Sequence, residues 1–328
     1  MSNPTCSATF CTDIESAQLT QSHGASCSIA IINCKTFTGD IGDELTLAFG
    51  YDGTNTDKFV GYVKEIQRNV PDNSYSVTAY DKMVRAMDFA LVASDPDAPF
   101  SRQNISLENL IRDVLLEAGL GSFDFETTFF TVATLAPVEI DLQMAYDYVK
   151  SLADLMAWSV WCDSSGTVIF RNRKPFVMDG STGEIGDTPD SSVATIGTAD
   201  IVNISRTITE KNLRNRVVVR GEGVHAEASA VSPYLPGGFY KTAVLGAPQL
   251  IDDQSIADDC AAINLNAFNH LTEIVDCTVI GTASLTARTV IHLEETILGL
   301  DNDYYIFSNV INFTKQGFIN QLNLRRIL

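Results

Sequence analysis

The chain has 328 residues, of which 45% are hydrophobic and 19% are charged. This length allows two or three domains with substantial cores, and this composition excludes a mainly disordered protein. The formal net charge of -19, from 41 acidic and 22 basic residues, excludes a protein that holds nucleic acid by neutralising its phosphates.

The first part of the chain, up to about Leu91, has the pattern of an all-β domain. Strand-like runs cover Ser28 to Ile32, Leu45 to Phe49 and Ser74 to Tyr80, and turn residues separate them. Pro71 to Asn73 are typical of a tight hairpin turn.

Helical periodicity begins after the proline-containing break at Ser94 to Phe100. Apolar residues from Leu107 to Ala118 follow a helical spacing. Ser106 is the predicted N-cap, and Gly119 is the predicted stop.

A second amphipathic helix and a hairpin follow. Asp141 precedes apolar residues at helical spacing from Ala145 to Met156. Two strand-like runs, Trp158 to Cys162 and Thr167 to Arg171, then flank an Asp-Ser-Ser-Gly turn that predicts a β-hairpin.

The segment from Pro175 to Ala199 is rich in Gly, Ser, Thr and Asp and predicts a long loop or linker. Beyond it, Ile201 to Ile208 and Arg216 to Arg220 indicate strands. Ser255 is the predicted cap of a further helix, and strands return from Ile274. The sequence thus predicts three domains: residues 1–92, all β; residues 93–199, an α/β insertion with a linker; and residues 200–328, β with one helix.

Four of the seven cysteines lie within the first 34 residues: Cys6, Cys11, Cys27 and Cys34. Four thiols suit an iron-sulfur or zinc site, but the spacing matches no familiar zinc motif. If they lie on antiparallel strands, Cys6 falls opposite Cys34 and Cys11 near Cys27, although odd separations place successive cysteines on opposite faces. Two interpretations stay open, a metal site and buried thiols in a reducing cytoplasm, and we favour the second.

Familiar catalytic motifs are absent. The four histidines are widely separated, and the sequence contains neither a Gly-x-Ser-x-Gly elbow nor a phosphate-binding P-loop. We therefore expect a protein that is not an enzyme and has no catalytic residues.

A β-rich glycan-binding or glycan-hydrolysing protein is the alternative from another class. Its site would use the aromatic pairs or the adjacent carboxylates, which are Trp158 and Trp161, Tyr304 and Tyr305, Asp252 and Asp253, Asp258 and Asp259, and Glu294 and Glu295. The N-terminus has no charged and apolar leader, and no run of about 18 apolar residues occurs. We expect neither export nor membrane insertion.

Several local patterns, taken in order, resemble the tail hub family of contractile-tailed phages, which includes late control protein D relatives and the N-terminal part of VgrG. The resemblance spans nearly the whole chain. The matching segments are Gly42 to Leu47, Phe59 to Val63, Tyr75 to Asp81, Ala145 to Phe170, Asn215 to Gly221, Ile256 to Ala267 and Asp303 to Phe307. The family-like structural positions are Gly42, Asp43, Phe59, Gly61, Val63, Asp81, Asn215, Gly221 and Tyr304.

The resemblance implies a mainly β fold with an α+β insertion, namely two tail-tube-like β-barrel domains and a small α/β domain. It implies a homotrimeric baseplate hub that adapts a hexameric tail tube to a trimeric central spike. The implied location is the virion tail baseplate, after assembly in the host cytoplasm. No cofactor is implied, and the N-terminal cysteines are not part of the family pattern.

The partners implied by the resemblance are the tail tube or a distal tube-initiator protein, the central spike, and baseplate wedge and tape measure proteins. DNA would pass only transiently, and an acidic channel wall would let it slide. Since no lysozyme or spike domain follows the last predicted strand, we expect a partner to cut the cell wall. A hub of a related secretion or injection system is the nearer alternative.

Overall fold

The computed structural model describes residues 3–70, 72–92, 99–128, 130–171, 191–246 and 250–327. Within these ranges strands outnumber helices, which confirms the mainly β fold class. The expected break at 94–98, most of the expected linker (172–190) and Pro71 lie outside the described residues. No helix of the described part is long and apolar enough to cross a membrane.

The N-terminal part contains six strands. They are β1 (Pro4–Ala8), β2 (Cys11–Ser22), β3 (Ile29–Phe37), β4 (Glu44–Tyr51), β5 (Thr54–Asn69) and β6 (Ser74–Asp81).

The middle part mixes short strands with three helices. Its elements are α1 (Val84–Asp88), β7 (Ala90–Leu91), β8 (Phe100–Arg102), β9 (Ile105–Ser106), α2 (Leu107–Glu117), β10 (Phe123–Phe125), β11 (Thr131–Val132), β12 (Val138–Ile140), β13 (Gln143–Met144), α3 (Ala145–Leu155), β14 (Ser159–Cys162) and β15 (Val168–Arg171).

The C-terminal part returns to strands around one long helix. Its elements are β16 (Thr195–Gly197), a 3-10 turn (Thr198–Asp200), β17 (Ile201–Thr209), β18 (Arg216–Arg220), β19 (His225–Ser229), β20 (Thr242–Gly246), α4 (Gln254–Phe268), β21 (Thr272–Ile280), β22 (Val290–Glu295), β23 (Leu300–Thr314) and β24 (Gly317–Arg326).

The six N-terminal strands form a closed ring. They pair in the order β1-β4-β5-β6-β3-β2, and β2 meets β1 again at the Ala8 and Cys11 pair. Alternate side chains of each strand point inward, so residues such as Leu45, Phe49 and Phe59 fill the ring and are fully buried. The first β unit predicted from the sequence is therefore a barrel with a packed interior.

A second ring forms from β16, β22, β23, β24, β21 and β17, paired in that order. Its two end strands, β16 and β17, follow each other in the chain through the 3-10 turn but do not pair with each other among the described residues, so this ring is open at that point. The core includes Ile196, Leu293, Tyr304 and Leu324. Since β16 lies within the segment predicted to be a linker, that segment ends in a strand, which pairs in parallel with β22.

Strands β23 and β24 belong to both rings. Residues 300–305 of β23 pair with β22 in the second ring, and residues 308–314 of the same strand pair with β2 in the first ring. Accordingly, Ile311 and Phe318 lie in the first core, whereas Ile306 and Leu322 lie in the second. All twelve strands form one continuous sheet.

The remaining elements form an α/β layer with a single large core. One sheet (β10-β15-β14) and the helices α2 and α3 share this core with a second sheet (β19-β18-β20) and α4. Val217, Val219 and Cys260, which lie within the predicted third domain, therefore pack with the insertion. The domain boundaries themselves stay a prediction.

Local expectations hold in most elements, with two differences at helix starts. Ser106 occupies the N-cap position of α2, but its hydroxyl donates to Glu108 Oε1 (2.8 Å) and does not cap the helix. The cap of α4 is Asp253, not Ser255, because the Asp253 carboxylate accepts hydrogen bonds from the Ser255 and Ile256 main-chain N–H groups. A carboxylate at the N-cap satisfies two of the free N–H groups of the first turn.

The loop of residues 281–289, between β21 and β22, joins the two rings through buried polar contacts. The Asn320 amide Nδ2 donates to Asn309 Oδ1 (3.1 Å), and both side chains are fully buried. Asn309 Nδ2 donates to the Leu285 carbonyl (3.2 Å), and Asn320 Oδ1 accepts from the Thr282 N–H (2.9 Å). The asparagine pair thus replaces the water that these loop groups would otherwise need.

We expect Asn309→Ala to lower the free energy of unfolding by about 2–3 kcal/mol, because it leaves the Leu285 carbonyl and the Asn320 amide without their buried partners. The control is Asn203→Ala on β17, where the side chain is exposed, with an expected change within about 0.5 kcal/mol. Urea unfolding of both variants is the measurement. Equal losses in the two variants would contradict the structural role of the pair.

Candidate functional site

Three family-like positions of the first ring, Gly42, Asp43 and Val63, form a turn and its hydrogen bonds to the neighbouring strand. Gly42 has a φ of 94°, in the left-handed region that favours glycine. Its N–H donates to the Val63 carbonyl (2.9 Å), and the Val63 N–H donates to the Asp43 carbonyl (3.0 Å). The Asp43 carboxylate accepts from the Asp40 N–H (2.8 Å). The turn is therefore fixed against β5 by these residues.

Two family-like glycines lie where backbones approach closely. A Cβ on Gly61 would lie 2.1 Å from the Tyr80 carbonyl oxygen and 2.5 Å from the ring of Phe59. A Cβ on Gly221 would lie 2.0 Å from the Ile251 carbonyl oxygen. Phe59 itself is buried in the first core. These positions have packing roles.

Asp81 is a buried carboxylate at the point where the first ring meets the α/β layer. It accepts hydrogen bonds from the Ser28 N–H (2.5 Å) and the Met83 N–H (3.0 Å). Burial raises the pKa of Asp81 to about 6, although these hydrogen bonds and the charge of Arg288 act in the opposite direction. Asp81 thus ties the start of β3 to the turn after β6.

The last two family-like positions, Asn215 and Tyr304, are also structural. Asn215 is buried. Its Nδ2 donates to the Phe239 carbonyl (3.0 Å), and its Oδ1 accepts from the Lys241 N–H (2.8 Å). Tyr304 is buried in the second core and donates to Glu273 Oε1 (2.8 Å).

The structure separates the N-terminal cysteines into two places. Cys11 and Cys34 hydrogen-bond each other, and Cys6 lies near Cys11 at the end of the first ring. Cys27 instead packs in the α/β core. The expected neighbours were therefore wrong: Cys6 pairs with Phe49 across the sheet, not with Cys34.

Burial raises the pKa of all four of these thiols, to about 12 for Cys6 and Cys27. Metal ligation requires thiolates, whereas burial favours the protonated thiols at neutral pH.

The carboxylates and aromatic rings considered for glycan chemistry have local roles. Asp252 accepts from Thr134 Oγ1 (2.8 Å) and from the Leu135 N–H (2.6 Å). Glu295 accepts from the N–H groups of residues 297 and 298. Trp158 is only 2% exposed.

A half-buried histidine, His292, lies among carboxylates on the second ring. His292 Nδ1 is 2.8 Å from Asp303 Oδ1, and Nε2 is 3.0 Å from Asp301 Oδ1. Hydrogen bonds that the imidazole donates to Asp303 and Asp301 raise the pKa of His292. Within the described part of the chain, His292, Glu294 and Asp301 are the one group of three potential metal ligands whose donor atoms all lie within 4.8 Å of one another.

A cleft of about 910 Å³ lies between the second ring and the α/β layer. Part of its wall is formed by His23, whose Nδ1 is 2.9 Å from the Tyr305 hydroxyl and whose Nε2 is 3.1 Å from Ser159 Oγ. The ring of His23 stacks on Phe307 at 5.0 Å. This histidine therefore connects the first ring, β23 and β14 at one side of the cleft.

Positive charge is concentrated in the cleft. Among the described residues, its lining carries two carboxylates, on Asp154 and Glu273, against five cationic side chains, which are Lys150, Arg206, Arg214, Arg325 and Arg326. This balance is opposite to that of the whole chain, whose net charge is -19. We refer to this feature as the basic cleft.

Glu273 organises two of these cations. Arg206 Nε lies 3.1 Å from Glu273 Oε1, and Arg326 Nη1 lies 3.4 Å from Glu273 Oε2. Burial would raise the pKa of Glu273, but hydrogen bonds from Arg206, Tyr304 and Arg326 outweigh it and hold the pKa below its ordinary value. Glu273 is therefore ionised and fixes both guanidinium groups.

The sequence alone does not reveal the basic cleft, because its cations come from β17, the segment before β18, α3 and the C-terminal strand. The one local indication is the Arg325 and Arg326 pair at the end of the chain. The sequence separation alone does not predict that this pair lies near Arg206.

No protein-family model matches the chain, and no curated protein matches it. Solved structures do match over nearly its whole length. A tail protein from Neisseria meningitidis MC58 has a TM-score of 0.69 at 10% identity, with 99% of this chain and 96% of that chain covered. The 43 kDa tail protein of prophage MuSo2 from Shewanella oneidensis has a TM-score of 0.64 at 14% identity, with 99% and 98% covered.

A third similar structure is the E. coli c3393 protein, a component of the type VI secretion system that is described as similar to the T4 tail proteins gp27 and gp5. Its TM-score is 0.60 at 8% identity, and the match covers 98% of this chain and 76% of that chain. The chain therefore has the fold of phage tail and type VI secretion hub-like proteins, as the resemblance of its sequence patterns implied.

We expect Gly61→Ala to lower the free energy of unfolding by more than about 2 kcal/mol, because the new methyl group would meet the Tyr80 carbonyl, which the β5 and β6 pairing holds in place. Gly121→Ala is the matched control, since a Cβ there meets open space. It should change stability by less than about 0.5 kcal/mol. Thermal and urea unfolding would compare them, and a well-tolerated Gly61→Ala would refute the close approach.

Asp81 should make stability depend on pH. Its pKa is about 6 in the folded protein against an ordinary value of 3.8, so the folded state binds the proton more tightly. The resulting stability is complete below the unfolded pKa and is lost as the pH rises through about 6. Relative to Asp81→Asn, which does not titrate, the wild type should lose about 3 kcal/mol between about pH 4 and about pH 7.

The measurement is urea unfolding of both proteins across this pH range. A difference between them that stays constant with pH would show that Asp81 titrates normally in the fold.

Proposed function

We propose that this protein is a non-enzymatic hub of a phage-type tail baseplate, acting as a homotrimer that joins a hexameric tail tube to a trimeric central spike. The observation that carries the proposal is the full-length fold similarity to tail proteins, with 99% of this chain covered in the two matches with phage tail proteins. The continuous sheet that unites two rings in one chain supports it. Three such chains would present six rings to a sixfold tube.

The proposal assigns function to surfaces and not to a catalytic centre. The family-like positions serve turns, close backbone contacts and cores; Asp252, Asp253 and Glu295 accept main-chain hydrogen bonds, and Trp158 is buried. This supports a structural role over a glycan-active one. No cofactor is required by it.

The partners in this proposal are the tail tube or a distal tube-initiator protein, the central spike, and wedge and tape measure proteins. The location is the virion tail baseplate, after assembly in the host cytoplasm. The net charge of -19 suits a channel wall along which DNA slides without binding, since like charges repel.

A hub of a secretion or injection system is the second candidate. It is supported by the similarity to the type VI secretion component from E. coli and to a Francisella VgrG complex, where the match has a TM-score of 0.53 and covers 58% of that chain. Both candidates require the same trimeric adaptor.

Light scattering of the purified protein at several concentrations should give three times the mass of a single chain. Trimers are expected because closed rings of subunits bury large complementary surfaces. A strict monomer at high concentration would contradict self-assembly of the hub. Metal content on the same sample tests the cysteine site, which about one equivalent of iron or zinc per chain would support.

A further inference from the structure

Two guanidinium groups in the basic cleft are available for a ligand. Arg214 donates only to the main-chain carbonyls of Lys211 (3.0 Å) and Leu213 (2.8 Å). Arg325 lies over the ring of Phe307, with its Cζ 4.6 Å from the ring centroid. Among the residues that the structure describes, neither forms an ion pair with a carboxylate. Desolvated or half-buried guanidinium groups bind carboxylates in a bidentate manner, so both favour an acidic ligand.

Main-chain groups of β17, at the rim of the cleft, are also open to hydrogen bonding. β17 is the last strand of the twelve-stranded sheet and pairs only with β21 among the described residues. Two of its side chains, Arg206 and Ile208, line the cleft. An unpaired strand edge offers N–H and C=O groups at regular spacing to an extended peptide.

Apolar contacts accompany these polar groups. Ile208 and Tyr234 line the cleft and are 55% and 52% exposed. Arg214, Arg325, Ile208 and Tyr234 all line the same cleft, so the acidic and the apolar residues of one extended segment can contact them there.

We propose that the basic cleft binds an extended segment of a partner protein in which acidic and apolar residues alternate. The segment lies along the open edge of β17, its carboxylates pair with Arg214 and Arg325, and its apolar residues pack on Ile208 and Tyr234. The inference extends the proposed hub function by giving the docking surface of a tail partner. It rests on that function only for the origin of the partner, not for the binding itself.

A nucleic acid fits the same charges less well. A long polyanion would approach a chain with a net charge of -19, and most of its length would lie outside the cleft. Three of the five cations are already paired, Arg206 and Arg326 with Glu273 and Lys150 with Asp154. The exposed Ile208 and Tyr234 side chains also favour a peptide.

Fluorescence anisotropy with a fluorescein-labelled octapeptide of alternating Glu and Leu tests the proposal. The wild-type chain should bind this probe, and binding should weaken as salt screens the charges. Arg214→Glu should weaken binding by about tenfold or more, the effect of losing one charge-assisted contact. Arg214→Gln, a milder change, and Tyr234→Ala should each weaken it less. Circular dichroism would verify that each variant is folded.

Arg112→Glu is the matched control, because it makes the same change of charge on α2, away from the cleft. It should leave binding unchanged. The proposal is overturned by absence of binding, by equal loss in Arg214→Glu and Arg112→Glu, or by equal binding of a Lys and Leu octapeptide. Equal or tighter binding of a thymidine octanucleotide would overturn it in favour of a nucleic-acid site.

The outcome is separable from that of the hub proposal. A monomeric chain that binds the peptide would support the docking surface and contradict the trimeric hub. A trimer that does not bind the peptide would support the hub and contradict the docking surface.

Discussion

The pairing of β23 with strands of both rings fixes the architecture of this protein. Its 15 residues run from the core of the second ring to the core of the first, with β24 alongside. Each pair of strands is held by a ladder of main-chain hydrogen bonds with a fixed spacing. The two rings therefore cannot move relative to each other without breaking several of these bonds, and the chain behaves as one block.

Polar side-chain contacts also connect the two rings and the α/β layer at places where strands do not pair. The buried Lys58 ammonium donates to Thr286 (3.1 Å), and burial lowers its pKa. Arg288 donates to the Ser22 carbonyl (2.8 Å) and lies over Trp161, with its Cζ 4.9 Å from the ring centroid. These groups bring the first ring, the second ring and the α/β layer into contact. Buried polar contacts of this kind tolerate few alternative arrangements, since each unpaired group costs free energy.

Two rings that are fixed relative to each other would suit the proposed hub, which joins neighbours of different symmetry. The charge distribution differs between the surfaces of the protein. A strongly acidic chain keeps polyanions away, whereas the basic cleft concentrates five of the 22 basic side chains around one concave surface. Because short-range ion pairs inside a cleft are screened less than exposed charges, such a site can select an acidic segment despite the overall repulsion.

Much of the local structure could be predicted from the sequence, because periodicity, turn chemistry and helix stops act over a few residues. The spacing in α2 with its stop at Gly119, and the turn in which Asp163 Oδ1 accepts from the Ser165 N–H (2.8 Å), are examples. The choice of Asp253 over Ser255 as a cap was less predictable, since both residue types cap helices equally well.

The sequence by itself thus determined the mainly β class, many of the individual helices and strands, and the acidic balance that opposes nucleic-acid binding. Only the tertiary structure decided that Cys27 packs apart from Cys11 and Cys34, that one sheet unites both rings, and that Arg206, Arg214 and Arg325 line one cleft. The reason is physical: these arrangements depend on pairing between strands far apart in the chain, such as β2 with β23, and the register of such pairing is set by the packing of whole faces, which no local pattern contains.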